Sequence, residues 1–88
     1  PAHINLAEVE EAVNGVEGVA SVHDLHVWTI TSGIDALSAH VVLADDLLPE
    51  GARSVVERTA AVLKDRFKID HTTIQVEHVS RKELEMHF

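Results

Sequence analysis

Val19-Ala20-Ser21-Val22-His23-Asp24-Leu25-His26-Val27-Trp28-Thr29-Ile30-Thr31, then the Ser32-Gly33 break, then a second run from Ala36 to Leu43, reads as a β-hairpin. β-Branched residues enrich the first run, and Ser-Gly interrupts it with turn chemistry. Within it, Val22 to Trp28 gathers two imidazoles and a carboxylate. Neutral imidazole is the commonest side-chain ligand for zinc and its divalent neighbours, and an adjacent carboxylate supplies an oxygen or anchors a ring. A histidine in a strand is ordinarily just solvated or hydrogen-bonded. Here five more histidines occur in the chain, and two of them, His40 and His78, fall in segments expected to pair in the same sheet.

Upstream of the hairpin, Asn5 followed by Glu8 has the spacing of a capping box, and Leu6, Val9, Val13 and Val16 recur at helical spacing. This predicts a helix over Leu6 to Asn14, with Gly15 as a left-handed stop and Gly18 at the next turn. Downstream, Ala44-Asp45-Asp46 breaks the strand; the acidic pair lacks the ligand spacing of a calcium loop and reads as a solvated turn. Pro49 suits the first turn of a helix, with Glu50 at its positive end. Ala52, Val55, Val56, Thr59, Ala60, Leu63 and Phe67 then form one apolar stripe. Lys68 to His71 reads as a polar junction, with His71 structural or capping, and Thr72 to His78 alternates as a last strand. The tail from Ser80 to Phe88 is charged and reads as a frayed end or a short helical turn.

The order is αββαβ, an α+β fold with an open three-stranded mixed sheet and two helices on one face. The hairpin makes the first two strands antiparallel, and the helical crossover makes the second and third parallel, so strand two is central. This topology brings the start of strand one and the ends of strands two and three together, and with them His23, His40 and Glu77. Side-chain alternation places His40 and Glu77 on the open face, but with Leu25 and Val27 inward it selects His26 there and not His23. Either a bulge near Asp24 re-aims His23, or His26 is the strand-one ligand.

Composition narrows the chemistry. Fifteen acidic against seven basic residues, net −8, disfavour nucleic acid and anionic membrane surfaces and suit cations. Without cysteine there is no disulfide and no thiolate site, so a metal would be held by nitrogen and oxygen. No run has the length of a transmembrane helix. Eighty-eight residues give one small domain whose core alone stabilises it marginally. An open sheet face bearing Trp28 and Ile30 therefore suggests a homodimer. The absence of an initiator methionine suggests that residues 1–88 are a domain of something longer.

Gly18-Val19, Val22 to Trp28, Leu37-Ser38-Ala39-His40-Val41 and His71 to Glu77 together resemble the carboxy-terminal cytoplasmic domain of cation diffusion facilitator exporters, in the cobalt-zinc-cadmium branch. The resemblance covers nearly the whole chain. It implies a ferredoxin-like, metallochaperone-like domain that dimerises beneath a transmembrane proton-coupled transporter in the plasma membrane and responds to cytoplasmic zinc. It selects His23, His40 and Glu77 as metal ligands. Ser54 and Gln75 stand where some members have histidines, and His87 lies where some place tail ligands. His26, His78, His87 and Asp24 are thus further candidates, and His3 is expected to be solvated or to swing onto the site. Zn2+ is the expected ion, with Co2+, Cd2+ or Ni2+ as alternatives that nitrogen and oxygen donors also accept. No nucleophile elbow or phosphate-binding loop supports an enzyme. The rival readings are an amino-acid or small-ligand sensing module and a free-standing soluble metal carrier.

Overall fold

A computed structural model describes residues 1–44 and 47–78. Helix α1 (Leu6–Asn14) and strand β1 (Val19–Thr31) have the expected bounds; strand β2 (Ile34–Leu43), helix α2 (Pro49–Phe67) and strand β3 (Ile69–His78) follow. The sheet order is β1-β2-β3, with β1 antiparallel and β3 parallel to the central β2. Helix α1 begins at Asn5, whose side chain accepts a hydrogen bond from the Glu8 amide at 3.2 Å. Gly15 is not the left-handed stop; it stays right-handed at φ −80°, and the reversal falls on Gly18 at φ 97°. Gly18 meets two demands at once. A Cβ there would lie 2.5 Å from Val55 Cγ2, so close approach of α2 as well as positive φ excludes a side chain.

Val9, Val13 and Val16 from the α1 region, Val55 and Leu63 from α2, and Leu37, Ala39, Val41 and Leu43 from β2 form one buried cluster. Both helices therefore cover the same face of the sheet, and the alternate residues Ser38, His40 and Val42 face away from the helices. Thr59, buried within α2, satisfies its hydroxyl by donating to the Val55 carbonyl at 2.7 Å.

Two strands start earlier than the sequence suggests. Lys68 takes the left-handed helix-ending conformation (φ 58°), so β3 begins at Ile69, and the expected junction at Lys68 to His71 is mostly strand. His71 is accordingly an exposed strand residue opposite Ala36 and not a helix cap. Strand β2 begins at Ile34, and Asp35 is buried near its start. Thr29 Oγ1 donates to Asp35 Oδ1 at 2.8 Å, and His3 Nε2 lies 2.7 Å from Oδ2. The Thr29 hydrogen bond, followed by His3, holds the Asp35 carboxyl below its ordinary value against the opposing effect of burial. His3 thus stays largely exposed, as expected, while bonded to Asp35 at the hairpin end of the sheet, and it is not part of the His23, His40 and Glu77 group.

Candidate metal centre

The register between β1 and β2 shows which side chains of β1 share the face of His40. His23 pairs with His40 and His26 pairs with Ser38, so three steps on β1 span two on β2. The extra residue makes a β-bulge, and Asp24 within it is left-handed at φ 51°. The bulge resets the alternation, so His23 and His26 both come to lie on the face shared by His40 and Ser38. Strand β3 puts Ile74 and Val76 toward the helices and Gln75 and Glu77 toward the open face.

Glu77 joins the other two. Its Oε1 lies 2.9 Å from His23 Nε2 and its Oε2 lies 2.5 Å from His40 Nδ1. The two rings stand 4.9 Å apart between centroids, tilted by 45°. One donor atom from each of His23, His40 and Glu77 lies within 4.8 Å of the others, and no other such trio occurs among the described residues. The three side chains are one-third to one-half exposed, so solvent reaches the group.

The electrostatics are those of a carboxylate shared by two imidazoles. The Glu77 hydrogen bond, with further attraction from its charge and from Asp24, raises the His23 pKa above its ordinary 6.5, against a desolvation effect in the other direction. In return the hydrogen bond from His40, then that from His23, lowers the Glu77 pKa. Two nitrogens and an anionic oxygen on an exposed face match the donor set of zinc-class ions, with a coordination position left toward solvent. A tetrahedral ion with bonds of about 2.1 Å holds its donors about 3.4 Å apart, so an ion would require the 2.5 and 2.9 Å Glu77 contacts to open and the wider separations to shrink.

The remaining candidates fall elsewhere. His26 lies one pairing step toward the hairpin, opposite Ser38, outside the trio. Asp24 touches His23 Nδ1 at 3.2 Å. His78 ends β3 opposite Leu43 with the parity of Val76, on the other face from Glu77. Asp45, Asp46, the Ser80 to Phe88 tail and His87 lie outside the described residues. Asp35, an acidic residue just past a turn, gives no local sign of its burial in the sequence.

The chain matches the family described as "Cation efflux protein, cytoplasmic domain" over residues 1–79. It is 43% identical over 77 residues to the metal cation efflux system protein CzcD of Cupriavidus metallidurans. It is 39% identical over 77 residues to a cadmium, cobalt and zinc/H(+)-K(+) antiporter of Bacillus velezensis. Each match covers 88% of this chain but only 24% of the relative. Among solved structures, the metal-bound C-terminal domain of the CzcD transporter from Cupriavidus metallidurans superposes with a TM-score of 0.75 at 43% identity, over 84% of this chain and 99% of that one.

Proposed function

The chain belongs to the family of cation efflux protein cytoplasmic domains, and from that premise we propose that it is a non-catalytic regulatory domain of a divalent-metal exporter, binding zinc at His23, His40 and Glu77. The observation that carries the reading is the convergence of those three donors, one from each strand, on the open sheet face. The metal-bound state of the CzcD domain supports it. Residues 1–88 would form one unit of a longer transporter, on the cytoplasmic side of the plasma membrane. None of the helices among the described residues is long and apolar enough to cross a membrane. The transport domain of the same chain, coupled to protons, would be its working partner. Calorimetric titration with zinc should show a saturable site. Heat no greater than that of a buffer blank would sink the proposal.

The domain would work as a homodimer. Trp28 and Ile30 are half exposed on β1, and a second copy covering them would bury apolar surface that the single chain leaves in water. Sedimentation at micromolar concentration is expected to give the mass of two chains. A monomer both with and without zinc would overturn this. Regulation then needs different affinities for the ion in the open and closed arrangements of the pair.

Acid should weaken zinc binding, because a ligating imidazole must lose a proton. His23 has a raised pKa, so proton competition begins above 6.5, while the lowered pKa of Glu77 keeps its carboxylate ionised through the same range. Below the His23 pKa, apparent affinity is expected to fall about tenfold per pH unit for each imidazole proton displaced. The metal-free cluster responds with the opposite sign. The raised His23 pKa contributes stability that is present below 6.5 and lost as pH rises through the folded value. The lowered Glu77 pKa contributes stability present above 4.5 and lost as pH falls through its folded value. Mild acid therefore removes the ion yet keeps the three side chains together. Titrations from pH 8 to about 5.5 check this; a flat affinity would exclude histidine ligands.

A further inference from the structure

We propose that Asp24 is a positioning residue for this centre. It holds the Nδ1–H of His23, leaving Nε2 to ligate, while His40 ligates through Nδ1. The inference rests on the metal reading above.

Three observations carry it. In a regular strand, neighbouring side chains point to opposite faces, so His23 and Asp24 could not touch. The bulge between His23 and His26 removes that constraint and lets the Asp24 carboxylate reach His23 Nδ1 at 3.2 Å. Second, Asp24 and Lys68 are the only non-glycine residues at positive φ among those described. Lys68 ends a helix, where that conformation is common, whereas Asp24 sits inside a strand. Glycine would adopt that backbone with less strain, so what aspartate adds is its carboxylate. Third, Asp24 is 64% exposed, and among the described residues the one hydrogen bond of its side chain is to His23; burial does not account for its presence. With Nδ1 held on one side, Nε2 is aimed at Glu77, 2.9 Å away. His40 presents the other nitrogen, Nδ1, to the same carboxylate. A ligating histidine whose second nitrogen donates to a carboxylate is fixed in tautomer and orientation, and losing such a partner costs about 10- to 100-fold in metal affinity.

The test uses the 88-residue chain and two variants, Asp24→Gly and Asp24→Asn, both of which keep a residue tolerant of positive φ. Imidazole nitrogen NMR in a metal-free Glu77→Ala background, where no carboxylate draws the proton to Nε2, at alkaline pH where the ring is neutral, should find the His23 proton on Nδ1, and shifted toward Nε2 when Asp24→Gly is added. Zinc titration should show at least a tenfold loss for Asp24→Gly and a smaller one for Asp24→Asn, whose amide oxygen still accepts the Nδ1–H. Thermal unfolding of Asp24→Gly should be no lower than wild type, which separates lost positioning from lost folding. A His23 proton on Nε2 in the Glu77→Ala background, or an Asp24→Gly variant with undiminished zinc affinity, overturns the proposal. If zinc does not bind the wild type at all, the metal reading fails separately, and the tautomer decides the positioning role by itself.

Discussion

Glu77→Ala is expected to weaken zinc binding by about 100-fold or more, the upper end of what loss of a ligand's supporting partner costs and a lower bound for loss of a ligand itself. Glu77 is the one anionic donor in the trio and the contact that joins its two rings. Without it, His23 and His40 lose their shared acceptor, and two neutral imidazoles must hold a divalent charge alone. His40→Ala should cost a comparable factor, since it removes the donor contributed by the central strand. His78→Ala serves as the internal control. Its side chain has the parity of the opposite face, so its affinity should equal that of the wild type. Calorimetric titration of the three variants decides the matter. Undiminished affinity in Glu77→Ala or His40→Ala would place the ion elsewhere.

Leu37→Ala should have the largest effect on stability. Leu37 is 1% exposed on the central strand, within the cluster shared by both helices. Truncating a buried leucine costs about 2.7–5 kcal/mol, through lost transfer energy and the cavity left behind. A small domain has only about 5–15 kcal/mol in total, so the substitution removes much of what holds the fold. Urea unfolding of the metal-free chain measures it, and a loss below about 1 kcal/mol would contradict the packing described. Zinc should restore part of the deficit, by about 2.7 kcal/mol at 100 times its dissociation constant, because only the folded chain presents the three donors.

What local patterns can and cannot reveal is visible at particular residues. The bounds of α1 follow from Asn5 and the Val9 and Val13 spacing, because a cap and a helical stripe are local signals. The extra reach of β3 was not legible. It depends on Lys68 adopting a conformation usual for glycine, and Ile69, isolated between Lys68 and Asp70, gives no sign of its burial. Asp35 likewise reads as turn chemistry until Thr29 and His3, brought in by the hairpin and the leading segment, satisfy its carboxylate. At the candidate site, alternation carried His40 and Glu77 to the open face but sent His23 away from it. That conflict marked the bulge. Its position at Asp24 could be suspected from aspartate's tolerance of positive φ, whereas the ring contact it enables exists only in three dimensions.

The one-donor-per-strand arrangement also has a consequence for the order of events as the chain is made. Glu77 lies 54 residues beyond His23 and 37 beyond His40, on the last strand among the described residues. Synthesis delivers residues at about 5–20 per second, amino terminus first. A nascent chain therefore carries two imidazoles for seconds before the carboxylate leaves the ribosome, and during that interval it has no complete binding set. On the proposed reading, tight capture of an ion awaits docking of β3 beside β2. The proposed centre would then form only once β3 is in place, and a chain truncated before that strand is expected to bind zinc poorly.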